Sequence, residues 1–371
     1  MKLKVRNMTI QHYIGIMSGT SMDGADAVLI RMQGASWLSA DAHAFVPYPT
    51  ELKAELLALQ AIGNNELHRS QILAQKLSRL YATVVKQLLS DTGMTAGDIC
   101  AIGCHGQTVR HAPQDGYSIQ LADLALLAEE TGIFTIGDFR SRDLAAGGQG
   151  APLVPAFHEA LFKHPQHSRV LLNIGGIANI SVLSPDAPAF GFDTGPGNML
   201  MDAWMQHIWQ QPYDRNGEHA RQGHSLPDLL NTMLSHPYFA LPHPKSTGRE
   251  LFSLDWLQTL LQGTEQPHDV LRTLIDFTAR SVALSIRQTA PTAQEIFVCG
   301  GGIRNALLME TLQEATGLSL HSTAELNLDP QWMEAAAFGW LAACWINKCP
   351  SNPHHATGAA RPLILGAGHY A

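Results

Sequence analysis

No segment of this sequence carries a run of positive charge. Lys and Arg number 24 against 32 Asp and Glu, giving a net charge of −8, which argues against nucleic acid or an anionic lipid surface as the main partner. No apolar run reaches the roughly 18 residues that span a membrane. Lys2, Lys4 and Arg6 are followed by no apolar stretch, so no signal peptide is expected. Cysteine is scarce: Cys100, Cys104, Cys299, Cys344 and Cys349 are odd in number and lie mostly in apolar runs, as buried thiols of a reducing cytosol would. The 18 histidines are scattered, with no HExxH or CxxC pair, so no metal ligand is assigned. GxxxxGK[ST] is missing, which excludes a P-loop, and no GxGxxG follows a strand, which argues against a dinucleotide site.

What is present is an ordinary globular composition, 45% apolar and 15% charged over 371 residues, with room for about two domains. The chain is organised around Gly15 to Asp26. Apolar runs at Tyr13–Met17 and Ala25–Ile30 flank small hydroxyl residues, glycines and an aspartate, which reads as a β-hairpin with a wide polar tip. Gly19 and Gly24 permit positive φ and close approach of a ligand. Exposed N–H groups with the hydroxyls of Ser18, Thr20 and Ser21 suit phosphate. Asp23 and Asp26 suit a phosphate site only with a cation between, and Mg²⁺ is the usual one. An ordinary hairpin rich in turn residues is the other reading.

A third strand at 37–46 and helices at 51–62 and 66–89 follow from periodicity. Strands at 99–104, 117–121 and 133–136 come next, with a helix at 122–131. The order then restarts. A second hairpin at 170–183 turns at Gly175-Gly176, a strand at 190–192 follows, and helices fall at 198–209, 226–236, 254–262 and 270–288. Strands at 296–299 and 318–321 alternate with helices at 305–316 and 331–346. Hairpin, strand, helix, strand thus occurs twice, an α/β duplication of two related domains with one central cleft, where ligands favour binding. The glycine- and charge-rich stretch 140–150 is the expected linker, residues 1–10 a loose leader, and the tail after Pro350 loop-like.

Three loops carry candidate chemistry. Gly300-Gly301-Gly302 follows an apolar strand and exposes backbone to a flat ligand, with Asn305 near the next helix start; a flexible helix-start loop is the alternative. Asp193 follows a short apolar strand and precedes Thr194-Gly195-Pro196-Gly197. A carboxylate on a rigid strand-to-helix turn suits a general base; it also suits a helix N-cap, and both can hold. Asp202, one turn on, reads as a solvated face residue. Glu334 opens a helix with three alanines that permit close packing. Gln107, Asp138, Arg140 and Gln149 place polar groups on loops, and a surface salt bridge is a fair alternative for Arg140.

Gly15 to Asp26 resembles the N-terminal signature of the anhydro-N-acetylmuramic acid kinases, within the superfamily of sugar kinases, actin and heat-shock chaperone ATPases. The likeness recurs at 104–108, 137–140, 145–152, 173–179, 192–198 and 334–338, in order over nearly the whole chain. It implies a duplicated actin-like ATPase (ribonuclease H-like) fold. The tail then crosses back, so the expected domains are 1–139 with 350–371, and 140–349. The implied reaction joins ATP, water and 1,6-anhydro-N-acetylmuramic acid to give N-acetylmuramic acid 6-phosphate and ADP, in cytoplasmic recycling of cell-wall sugar. By the same resemblance Asp193 is the catalytic base and Glu334 reaches the sugar. Gly19, Thr20, Ser21, Met22, Asp23, Gly24, Ala25, Asp26, Gly175 and Gly176 take the phosphates of ATP with Mg²⁺, and Gly300, Gly301, Gly302 and Asn305 take its adenosine. Gln107, Asp138, Arg140 and Gln149 are sugar contacts, with Arg140 suited to a lactyl carboxylate. A homodimer is expected, with no nucleic-acid or membrane partner. A nucleotide-dependent assembly protein and a phosphatase of the same superfamily remain as alternatives, separated by whether ADP release depends on sugar.

Overall fold

The computed structural model describes residues 9–19, 22–243, 245–248 and 251–371. Thr20 and Ser21 of the hairpin tip, and residues 1–8 of the expected leader, lie outside the described residues. The chain forms two compact units, Met1–Phe157 with Asn327–Ala371, and His158–Leu326.

In the first unit, strands β1 (Ile10–Met17), β2 (Gly24–Gln33) and β3 (Ser36–Pro47) form an antiparallel meander, with Met17 opposite Asp26 at the tip. Helices α1 (Thr50–Gln60) and α2 (Glu66–Thr92) lead to β4 (Ile99–Cys104), which lies parallel to β1. A separate hairpin of β5 (Gln107–Ala112) and β6 (Tyr117–Leu121) precedes α3 (Leu124–Thr131), β7 (Thr135–Gly137) and α4 (Ser141–Ala145). The chain leaves through α5 (Val154–Phe162).

The second unit repeats the plan. Strands β8 (Ser168–Ile174), β9 (Ile177–Leu183) and β10 (Phe190–Pro196) form the meander. Helices α6 (Met199–Trp209), α7 (Pro227–Leu234), α8 (Leu254–Leu260) and α9 (Pro267–Thr289) follow, then β11 (Ala293–Cys299), α10 (Ala306–Thr316) and β12 (Ser319–Ser322). The chain then re-enters the first unit with α11 (Met333–Ile346), α12 (His354–Thr357) and β13 (Ala367–His369). The strand orders are β3-β2-β1-β4-β7 and β10-β9-β8-β11-β12, identical in topology, with β13 added beside β7. This is the duplicated actin-like ATPase, ribonuclease H-like architecture. Among the described residues, no helix is long and apolar enough to cross a membrane.

The units divide at 157/158 and 326/327 rather than at the expected 139/140 and 349/350. The reason lies in α11. Side chains alternate across a strand, so Ile14 and Ile16 face the core shared with α2, while Gly15 faces the other way. A Cβ on Gly15 would stand 1.8 Å from the Ala335 carbonyl oxygen, and one on Gly103 of β4 would stand 2.0 Å from that of Phe338. Glycine in the sheet and the small residues of α11 let the helix backbone lie directly on β1 and β4. The all-round apolar α11, buried from Ala335 to Cys344, therefore belongs to the first sheet.

Nor is 140–150 a loose break. The wholly buried Asp143 on α4 accepts hydrogen bonds from Gly150 N (2.9 Å), Thr357 Oγ1 (2.9 Å) and Asn352 Nδ2 (3.2 Å). A Cβ on Gly148 would stand 2.2 Å from its Oδ2, so glycine here serves close packing, not flexibility. The tail clasped by Asp143 is folded too, since Ala367–His369 pairs antiparallel with β7.

Candidate active site

Parallel strands share a direction, so β1, β4 and β7 end on one edge of the first sheet. The hairpin tip after Met17, the His105-Gly106 turn and Asp138 all lie along that edge. In the second sheet β8, β10 and β11 likewise point the same way. Their carboxyl ends carry Gly175-Gly176, Asp193 to Pro196, and Gly300-Gly301-Gly302. Open α/β sheets bind ligands outside such ends.

In the first unit the tip is braced from below. Ser18, expected to offer its hydroxyl to phosphate, is buried and bonds instead to Tyr81 OH (2.9 Å) and the Gly106 carbonyl (3.3 Å). Gln107, expected on the sugar, is 0% exposed; its Nε2 donates to the Gly19 carbonyl (3.2 Å) and its Oε1 accepts from Tyr48 OH (3.3 Å). Burial pushes the Tyr48 and Tyr81 hydroxyls up, so this network stays uncharged. Met22 sits at φ +53° with its side chain buried, and its N–H closes back on the Gly19 carbonyl at 3.2 Å. Gly24 is pressed against the Val46 carbonyl and the Phe45 ring, and Ala25 is buried. The side chains of Met22 and Ala25 are therefore turned into the core, away from a ligand.

The charged groups on this edge are accessible. Asp23 is ion-paired with Lys53 at 2.9 Å, and its side chain is 67% exposed. Asp26 pairs with His43 Nε2 at 2.8 Å, and the His43 ring stacks on Trp332. Glu334, in the first turn of α11, is reached by solvent yet crowded by protein. Desolvation pushes its carboxyl up, Asp26 adds to this, and Arg140 opposes it. Asp138 is exposed in the left-handed region at φ +52° and accepts from Ser141 Oγ. Gln149 is exposed, with its N–H held by the Thr357 carbonyl.

Arg140 is no surface salt bridge. Its Nη1 donates to the Gly150 carbonyl (2.7 Å) and its Nη2 to His105 Nε2 (2.9 Å). Guanidinium has no acceptor, so His105 Nε2 must be unprotonated. Burial, with Arg140 beside it, pushes His105 down to about 3, while burial holds Arg140 to about 10. His158, buried in the second unit on Ser181 Oγ, is also pushed to about 3. Both rings stay neutral on folding but charge in the unfolded chain below about 6.5. The unfolded state then binds more protons, so stability falls as pH drops through that value, by about 2 kcal/mol per ring between pH 6.5 and 5. We expect His105→Gln to flatten the urea-unfolding free energy against pH over this window; an unaltered slope would contradict the neutral ring.

In the second unit, Gly175 and Gly176 use their carbonyls to accept the N–H groups of Asn198, Gly197 and Met199, which satisfies the start of α6. Neither has positive φ, and a Cβ on either would meet nothing closer than 3.6 Å, so the unit itself does not require glycine there. In the triplet, Gly300 (φ +83°) and Gly302 are pressed against Ile174 and are structural, whereas a Cβ on Gly301 would meet nothing within 4 Å. Asn305 caps α10, its Oδ1 accepting from Leu308 N at 3.1 Å.

Asp193 lies inside β10 at a bulge, not on a strand-to-helix turn, and α6 starts only at Met199, so it is no N-cap. Bulges re-aim side chains. Its backbone N–H bonds to the Lys245 carbonyl (3.0 Å), its carbonyl accepts from Tyr238 OH (2.5 Å), and Thr247 N donates to its Oδ2 (3.0 Å). Lys245 Nζ in turn bonds the Tyr238 and Phe239 carbonyls and lies 4.6 Å over the Tyr238 ring. Burial, and then Asp193, pushes the Tyr238 hydroxyl up. Asp202 is half-buried rather than solvated, and burial pushes its carboxyl up to about 6. Sequence reasoning missed Tyr48, Tyr81, Tyr238, Lys245 and Thr247, because no local pattern says where a lone aromatic or a loop returns.

The anhydro-N-acetylmuramic acid kinase family model matches residues 11–371. A protein of that name from Neisseria meningitidis serogroup B is 68% identical over 365 residues, 98% of this chain and 100% of its own. One from Bordetella parapertussis is 51% identical over 360 residues, covering 96% and 95%. Another, from Nitrosomonas europaea, is 50% identical over 359 residues, covering 96% and 99%.

Proposed function

The chain belongs to the anhydro-N-acetylmuramic acid kinase family, and from that premise we propose how its residues divide the work. The enzyme is a phosphotransferase of peptidoglycan recycling. It opens 1,6-anhydro-N-acetylmuramic acid with water and phosphorylates O6 from ATP, giving N-acetylmuramic acid 6-phosphate and ADP. The observation that carries our assignment is Asp193, at a bulge inside β10, its backbone held by two hydrogen bonds and its carboxylate by a third, in the sheet whose carboxyl edge carries the open glycines 175, 176 and 301.

The substrate has no free 6-hydroxyl, because O6 is tied to C1. Asp193 takes a proton from water as the water oxygen bonds to C1 and the C1–O6 bond breaks. O6, released with the electron pair, then takes the γ-phosphoryl group, and ADP leaves. Positioning and charge stabilisation carry such a transfer. The backbone of Gly19 and 22–26, with Gly175 and Gly176, is assigned to the phosphates, and Gly301 to the adenosine face. The uncrowded glycines 175, 176 and 301 favour this, since each leaves a gap that a ligand can fill. Glu334, Asp138, Arg140 and Gln149 are assigned to the sugar. Gln107 is assigned to holding the Gly19 carbonyl.

Mg²⁺, when bound, neutralises phosphate charge. Asp23 and Asp26 are hard oxygen donors on accessible side chains, a set that fits an ion brought largely by the nucleotide. Among the described residues no cluster of three or more His, Cys, Asp or Glu gathers to hold a metal. The need for ATP sets the reaction in the cytoplasm, and a homodimer is the state we expect from light scattering.

The decisive experiment is mass spectrometry of the product made from ATP and the anhydro sugar in ¹⁸O water. One ¹⁸O at C1 and none in the phosphate is expected. Label in the phosphate, or ADP release without sugar, would instead indicate a phosphatase.

A further inference from the structure

Residues 245–248 return to Asp193 from more than fifty positions along the chain, and Thr247 meets it through its backbone. Its backbone N–H donates to Asp193 Oδ2 at 3.0 Å. Its hydroxyl, three covalent bonds away, is buried and has no hydrogen-bond partner among the described residues. A buried hydroxyl left unpaired costs free energy and calls for an explanation. The strap is also firmly anchored, since Lys245 bonds the carbonyls of Tyr238 and Phe239 while Tyr238 OH bonds Asp193. Loose placement therefore does not account for the unpaired group.

We propose that Thr247 is a further residue of the reacting centre, its N–H orienting the Asp193 carboxylate and its hydroxyl binding the water that Asp193 deprotonates. This rests on Asp193 being the base. A bound water needs two or more polar partners, and the carboxylate supplies one. The Thr247 hydroxyl, on the residue whose N–H holds that carboxylate, supplies the second. With both contacts in place, the water's proton faces Asp193 and its lone pair is left for C1. No covalent bond to Thr247 forms, and the hydroxyl keeps its own proton.

The test compares Thr247→Val, Thr247→Ser and Asp193→Asn in the full-length enzyme. Valine keeps the shape and the N–H but removes the unpaired hydroxyl. The ligand-free Thr247→Val protein should melt no lower than wild type, while kcat falls about 10–100-fold, the worth of one hydrogen bond to the reacting group, with KM for ATP and sugar unchanged. Thr247→Ser should restore most of kcat. Wild-type kcat in Thr247→Val, or a loss that serine does not restore, overturns the proposal. A rise in KM for the sugar alone also overturns it, because the hydroxyl would then bind sugar, not water. If Thr247→Val fails to fold, Thr247→Ala judged by the same kcat and KM values replaces it. An inactive Asp193→Asn beside a fully active Thr247→Val sinks this inference alone, whereas an active Asp193→Asn removes the base assignment and this inference with it.

Discussion

Asp193→Asn is expected to cut turnover by about 10²–10⁴-fold, the usual worth of a general base, with ATP and sugar still bound. The upper part of that range is expected because water attack and opening of the C1–O6 bond share one proton transfer. The substitution is conservative in size. The Tyr238 and Lys245 contacts are to the Asp193 backbone and survive it, and the Thr247 N–H can still meet the amide oxygen. Folding and ligand affinity should therefore change little while chemistry stops. Isothermal titration separates the two. A mutant that binds both substrates but incorporates no ¹⁸O at C1 is the expected result. Ring opening that persists while phosphoryl transfer alone is lost would move the base elsewhere, and Glu334→Gln would then be examined in the same assay.

Gly15→Ala is expected to have the largest effect on stability. In a strand interior, alanine ordinarily improves on glycine by roughly 0.5–1 kcal/mol. Here the sign reverses, because the new Cβ would stand 1.8 Å from the Ala335 carbonyl oxygen and 2.5 Å from the Gly339 nitrogen. Both are backbone atoms of α11, so no rotamer change relieves the clash, and the helix must lift off β1. Overpacking costs about 1–3 kcal/mol and occasionally more, and this case belongs at or above the top. At about 2–4 °C per kcal/mol for a domain of this size, the melting temperature should fall by about 6–12 °C. Gly301→Ala is the contrast. With nothing within 4 Å of its Cβ, it should melt as wild type while KM for ATP rises. Equal melting temperatures for Gly15→Ala and wild type would mean that α11 does not rest on this glycine.

The contrast between these two glycines shows what could be read from the chain alone and what could not. The expected hairpin around Gly15 to Asp26 is observed as β1 and β2, with Met17 opposite Asp26. The restart of the pattern after 170 is observed as a second sheet of the same strand order. These are local matters, since period-two and helical apolar patterns and turn residues act over a few neighbours. The motif strings were legible for the same reason, and with them the family and the reaction.

Direction and distance were not legible. Ser18 lies in the motif as Gly19 does, yet it turns inward to Tyr81, 63 positions away. Asp143, inside a glycine-rich stretch that reads as a linker, clasps Asn352 and Thr357 more than 200 positions away. Gly15, Gly300 and Gly302 are demanded by packing and Gly301 by nothing in its own unit, although all four read alike. Thr247 reaches Asp193 only because the chain returns, through a segment with no pattern of its own. Local patterns carried most of the elements, the duplication and the kind of chemistry, but not α4, read as linker, or β13, read as loop. Which face each side chain takes, and which distant group meets it, was decided by the register of strands and the packing of helices on them. Those are tertiary quantities because a shift of one residue along a strand sends every side chain to the opposite face.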